Sequence, residues 1–160
     1  GLDKNAFEKA AKTFNLPAFR FSKPIEVGGV RFYNDSKATN IHAALAALEE
    51  LKGEKNLVWL GGGKDKLCDL KPLTDAVNKR AKAAVLIGQT ARKLADGLEI
   101  PAFVCESMAE AVKRSYELAD GNAAVLFSPA FSSFGMFSGY VERGKSFENE
   151  VLCLKNLNKM

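Results

Sequence analysis

Four short apolar runs constrain this 160-residue chain more than any other feature. The residues after Asn56 (Leu57-Val58-Trp59-Leu60), together with Ala83–Ile87 and Ala123–Phe127, contain no polar side chain, and Ala102-Phe103-Val104-Cys105 repeats the pattern. A strand with one wet face alternates apolar and polar residues. An unbroken apolar run instead fits a strand covered on both faces, as in a parallel sheet flanked by helices. Each run leads into glycine or polar residues and then into apolar spacing of helical period. The spacing predicts helices over about Thr39–Leu51, Pro72–Lys82, Thr90–Gly97, Ser107–Ala119 and Ser146–Leu157. Ser107 and Glu110 have the offset of a capping box, and Pro72 suits a first helical turn.

Ahead of these units, Ile25-Glu26-Val27 and Val30–Tyr33 flank Gly28-Gly29, a hairpin signature in which the glycines supply the positive φ of a tight turn. Residues 3–15 carry Phe7, Ala10, Ala11 and Phe14 at helical spacing, and residues 16–24 read as an extended linker. The expected fold is therefore α/β, a Rossmann-like doubly wound, mostly parallel sheet entered through an N-terminal β-hairpin. Residues 1–24 are expected to be an appendage to a domain spanning 25–160.

Composition narrows the functional classes. Net charge is +4, with basic and acidic residues interspersed, which fits an anionic small molecule better than a nucleic-acid surface. Cys68, Cys105 and Cys153 are far apart and form no CxxC pair, so three free thiols in a reducing compartment are expected. The single histidine, His42, completes no metal-ligand set with them. No apolar run nears the roughly 20 residues of a membrane span. The opening Gly1-Leu2-Asp3-Lys4 has no signal-peptide pattern, and its lack of a methionine points to a fragment of a longer protein.

In a doubly wound sheet ligands bind beyond the carboxyl ends of the strands. Three strand ends are unusually polar or glycine-rich: Asn34–Asn40, Gly61–Lys66 and Ser128–Ser133. The first places an acid, a base, hydroxyls and carboxamides at a strand-to-helix junction. Lys37, read as part of the helix's first turn, would oppose the helix dipole and would need an anion to justify it. Gly61-Gly62-Gly63-Lys64-Asp65-Lys66 fits neither GxxxxGK[ST] nor GxGxxG, but glycines followed by two lysines suit a carboxylate or phosphate. The alternative for this loop is a flexible turn with solvated lysines. Ser128, Ser132 and Ser133 match no GxSxG motif and have no nearby histidine, so they are expected to donate hydrogen bonds to an anionic substrate. Gly88-Gln89-Thr90 and Glu106-Ser107 read as ordinary caps. Glu142-Arg143-Gly144 reads as a solvated turn, and Phe131, Phe134, Phe137 and Tyr140 as core or pocket wall.

Taken together, Asn34-Asp35-Ser36-Lys37-Ala38-Thr39-Asn40, a Gly-Gly-x-x-x-Lys loop, a Ser-Pro-Ala-x-x-Ser loop and a Glu-Arg-Gly turn resemble the C-terminal domain of the Mur ligases. The first motif is similar to that of the branch that adds D-glutamate to UDP-N-acetylmuramoyl-L-alanine in peptidoglycan synthesis. The resemblance covers roughly residues 16–155. It implies a cytoplasmic ATP- and Mg2+-dependent enzyme. The muramoyl-alanine carboxylate is phosphorylated, and the amine of D-glutamate then displaces phosphate. An N-terminal domain would bind the UDP group, and a central domain would hold the phosphate loop and the metal. On matching positions Thr39, Lys66, Ser133 and Tyr140 would hold D-glutamate, while Asp35, Lys37 and Arg20 would face ATP. Lys64 competes with Lys66 for the carboxylate, with Lys66 favoured by its spacing to Asp69 and Pro72. Tyr140 stands where phenylalanine is common. No nucleic-acid or membrane partner is implied, and the fragment alone should show no turnover. The alternatives are a non-catalytic anion- or nucleotide-binding α/β module, or a sister Mur or polyglutamate ligase domain.

Overall fold

The computed structural model describes residues 18–160; the helix expected over residues 3–15 lies outside them. The hairpin strands are β1 (Ile25–Val27) and β2 (Val30–Asn34). Four strand–helix units follow β2 and its helix α1 (Ile41–Glu50). They are β3 (Leu57–Gly61) with α2 (Lys71–Arg80), β4 (Ala83–Leu86) with α3 (Ala91–Gly97), β5 (Ala102–Val104) with α4 (Met108–Leu118), and β6 (Ala124–Phe127) with α5 (Tyr140–Leu157). The sheet runs β1-β2-β6-β3-β4-β5, and only the β1–β2 pair is antiparallel.

Alternation along the strands fills two separate cores. Val58, Leu60, Val85, Val125 and Phe127 point to the face covered by α4 and α5, where Val112, Phe147 and Val151 meet them. Leu57, Trp59, Ala84, Leu86 and Leu126 point to the opposite face, covered by α1, α2 and α3 through Leu48, Leu73, Val77 and Leu94. Both faces of the apolar strands are thus dry, as an unbroken run requires. Burying side chains of this size contributes about 1.5–3 kcal/mol each before conformational entropy is counted. Among the described residues no helix is long and apolar enough to cross a membrane.

Three local expectations are corrected. Helix α5 starts at Tyr140 rather than Ser146, so Glu142-Arg143-Gly144 forms helical turns and not a solvated loop; Arg143 is only 1% exposed. Helix α1 starts at Ile41, capped by the Asn40 side chain, which accepts a hydrogen bond from the Ala43 N–H at 2.9 Å. Lys37 therefore precedes the cap by three residues and does not oppose the helix dipole. The Ser107 cap forms as expected, but Glu110 reaches back to the Glu106 N–H instead of that of Ser107.

Candidate functional site

The order β2-β6-β3 sets the three unusual strand ends side by side. Backbone and side-chain bonds then tie them together. The Asp35 N–H donates to the Phe127 carbonyl at 2.7 Å, and the Lys64 N–H donates to the Ser132 carbonyl at 2.9 Å. The Ser128 hydroxyl donates to Asp35 Oδ2 at 2.7 Å. Ser128 is fully buried, so its hydroxyl serves this internal bond and does not face a substrate.

The glycine loop is held, not floppy. Gly62 has φ of 108°, and a Cβ there would come within 2.2 Å of the Ile87 carbonyl, so only glycine fits. The Gly63 N–H donates to Thr90 Oγ1 at 3.1 Å, and the Asp65 N–H to Gln89 Oε1 at 3.1 Å. Lys93 pairs with Asp65 and lowers its pKa. Gly88-Gln89-Thr90 is therefore not an ordinary cap: Thr90 makes no side-chain cap bond to α3 and is fully buried against the loop after β3. A Gly-Gln-Thr strand end gives no local signal of this role, because the partner lies 27 residues away.

Two cavities open along this edge. One, of about 300 Å³, is lined by Gly63, Lys64, Gln89, Ser133 and Phe134, with Arg143 at its wall. The other, of about 330 Å³, is lined by Arg20, Phe21, Asp35 and Lys37 and by one face of α1 from Ala43 to Glu50. The three residues matched to the ATP side thus share one cavity. Asp35 is 5% exposed. The Phe21 N–H donates to its Oδ1 at 3.1 Å. Burial raises its pKa, against the opposing pull of the Ser128 and Phe21 bonds and of Arg20.

The four residues matched to D-glutamate are spread more widely. Ser133 lies in the first cavity beside Lys64. Exposed Lys66 reaches away from it, its Nζ donating to the Thr39 carbonyl at 3.4 Å. Tyr140 meets Lys37, whose Nζ lies 3.4 Å from the phenol oxygen and 5.0 Å from the ring centroid. The lysine's charge is thus answered by an aromatic face at the start of α5. Phe131 is core, whereas Phe134 is 57% exposed at the mouth of the first cavity.

Arg143, far from solvated, is buried at the centre of a hydrogen-bond network. Its Nε donates to Ser36 Oγ at 3.1 Å, Nη2 to the Ser36 carbonyl at 2.8 Å, and Nη1 to the Phe131 carbonyl at 2.9 Å. Burial pushes its pKa down to about 10. Ser36 in turn donates through Oγ to the Tyr140 carbonyl at 2.8 Å. Asn34 Nδ2 donates to the Gly144 carbonyl at 3.0 Å. This knot borders the first cavity through Arg143 and adjoins the second through Ser36, which lies between Asp35 and Lys37 in the chain.

Comparison with known proteins agrees with the fold. A family model described as "Mur ligase, glutamate ligase domain" matches residues 20–131. The UDP-N-acetylmuramoylalanine--D-glutamate ligase of Pseudomonas syringae pv. tomato is 44% identical over 96% of this chain and 35% of its own length. That of Caldanaerobacter subterraneus is 35% identical over 97% of the chain and 35% of its own length. The chain thus spans about a third of the curated relatives it matches. Among solved structures, the MurF ligase of Thermotoga maritima in complex with ADP superposes with a TM-score of 0.63 and 13% identity. The match covers 91% of this chain and 33% of that one, a likeness of fold alone. The chain belongs to the Mur ligase family, as its glutamate ligase domain.

Proposed function

We propose that residues 25–160 form the amino-acid-binding domain of an ATP-dependent ligase that adds D-glutamate to UDP-N-acetylmuramoyl-L-alanine in peptidoglycan synthesis, and that residues 1–24 end a preceding domain and link to it. The observation that carries this is the pair of cation-bearing cavities flanking one buried knot, on the edge where β2, β6 and β3 end. The D-glutamate ligases among the relatives supply the chemistry. In the full reaction a phosphoryl group passes from ATP to the muramoyl-alanine carboxylate, and the amine of D-glutamate displaces phosphate to form the amide.

In this reading Arg20 and Lys37 face phosphate oxygens and Asp35 orients the linker beneath them. Thr39, Lys66, Ser133 and Tyr140 fix D-glutamate, with Lys64 as a second cation beside Ser133. Two carboxylates held at separate loops leave the amine free and aimed, so that attack becomes effectively unimolecular. Mg2+ would neutralise phosphate charge. Among the described residues no three His, Cys, Asp or Glu side chains gather. Both oxygens of Asp35 already accept bonds. The metal ligands and the phosphate loop are therefore assigned to the central domain of the whole ligase. The substrates place the reaction in the cytoplasm, with the other domains of the same chain as partners.

The test is D-glutamate addition by the full-length ligase, with competing amino acids offered. Lys66→Ala should raise the D-glutamate KM by roughly 30- to 1,000-fold, the loss of about 2–4 kcal/mol from a charged hydrogen-bond pair. An unchanged KM transfers the role away from Lys66, and the same change at Lys64 then identifies the alternative. Failure of the wild-type enzyme to prefer D-glutamate overturns the proposal. The isolated 160-residue chain should show no turnover.

A further inference from the structure

We propose, resting on the functional reading above, that Arg143 is a positioning residue that couples the two cavities, so that filling the Arg20–Asp35–Lys37 cavity with nucleotide tightens amino-acid binding beside Ser133. The guanidinium is 1% exposed and pairs with no carboxylate among the described residues. A buried cation without a counter-charge is costly to desolvate, and only its hydrogen bonds to Ser36 and Phe131 offset that cost. What an apolar residue cannot do is grip two loops at fixed spacing.

Arg143 grips Ser36 twice, through Nε and Nη2, and Phe131 once, through Nη1. Ser36 lies between Asp35 and Lys37, both lining the nucleotide-side cavity. Phe131 leads into Ser132-Ser133, and Ser133 lines the other. Arg143 also borders the Ser133 cavity directly. A shift of the Asp35–Lys37 loop on binding phosphate is therefore passed to the Ser133 loop through one rigid planar group. The planar fork is essential to this, because an ammonium is a point charge without fixed angles between its bonds. The remaining bonds of the knot, Ser36 to Tyr140 and Asn34 to Gly144, fix the start of α5 to the first loop only. Of the knot's residues Arg143 alone joins α5 to both loops, while Asp35 meets the foot of the second loop directly through the Ser128 hydroxyl.

The experiment measures D-glutamate affinity of the full-length ligase by calorimetry, with and without a non-hydrolysable ATP analogue. In the wild type the analogue should tighten D-glutamate binding by at least ~5-fold, the lower end of ordinary coupling. Arg143→Lys keeps the charge and loses the fork; Ser36→Ala removes little volume but takes away the hydroxyl that accepts from Arg143 and donates to the Tyr140 carbonyl. In each the ratio should fall below about twofold, with affinity for the analogue alone within about threefold of wild type, since coupling and binding are separable quantities. A merely structural role would weaken both ligands alike and leave the ratio intact. If Arg143→Lys fails to fold, Ser36→Ala decides. Retention of the wild-type ratio in a folded variant, or a wild type without coupling, overturns the inference. A full-length enzyme that does not add D-glutamate overturns instead the functional reading beneath it.

Discussion

At the amino-terminal edge of the sheet, Arg31 pairs with Glu54 at 2.5 Å and Lys82 with Asp120 at 3.5 Å, all of them open to solvent on at least one side. At the carboxyl edge, Asp35 and Arg143 are buried and neither has an ion-pair partner among the described residues. Eight of the ten buried polar or charged residues among those described belong to that second edge or its adjoining helix, and only Thr74 and Ser115 lie elsewhere. One edge thus uses charge where water already solvates it, which costs little and contributes little. The other removes charge from water and satisfies it with hydroxyls and carbonyls, an arrangement that stability alone does not favour. The difference sets the two edges apart without reference to any motif.

That contrast can be broken by substitution. The largest effect is expected from Arg143→Met, which leaves the carbonyls of Ser36 and Phe131 without their donor; about 3–5 kcal/mol of unfolding free energy should be lost in urea titration. A loss under 1 kcal/mol would mean that the knot is not tightly closed. Next comes Thr90→Val. It keeps the shape but strands the Gly63 N–H, and should cost roughly 1–3 kcal/mol in the same titration.

Asp35→Asn should act in the opposite direction. Burial raises the folded-state pKa of Asp35. Its contribution to stability is therefore complete below the ordinary carboxylate pKa of about 4, and is lost as pH rises through the raised value. Asparagine cannot ionise, so the variant should match wild type near pH 3 and exceed it in stability at pH 7. ATP-side binding should meanwhile weaken. A variant less stable than wild type at pH 7 would show that the ionised carboxylate is already well solvated. The smallest effect belongs to the other edge. Glu54→Gln should cost about 0.5 kcal/mol at low salt, and the difference should shrink as ionic strength rises.

Most elements were legible in the sequence, because β3 to β6 carry apolar runs, Gly28-Gly29 marks the hairpin, and the helices repeat their apolar residues at helical spacing. The three-loop edge was legible too, since composition changes abruptly at Asn34, Gly61 and Ser128. What escaped was whatever depends on a distant partner. Arg143 looks like a surface charge in a Glu-Arg-Gly triplet until Ser36, 107 residues earlier, is folded against it. Thr90 looks like a cap until Gly63 claims its hydroxyl. Lys37 drew attention on the premise that it began a helix. Asn40 caps that helix instead, and the lysine's neighbour is an aromatic ring of α5. Local pattern reports what a residue prefers, whereas these three are placed by contacts that override preference.

The segment entering the domain is fastened to the same edge as the cavities. The Phe21 N–H meets Asp35, the Lys37 N–H meets the Phe19 carbonyl, the Ser22 N–H meets the Asn34 carbonyl, and the Phe19 ring lies where a Cβ on Gly144 would stand. A body turning about that attachment has its pivot beside Asp35, so lever arms decide which parts travel. Strand β5 is the far end of the sheet, four strand spacings from β2. At ~4.8 Å per spacing, a rotation of about 10° carries β5 some ~3 Å while the residues around Asp35 move about 1 Å or less. The cavity beside Asp35 and Lys37 would ride near the axle, and the opposite rim would sweep the arc.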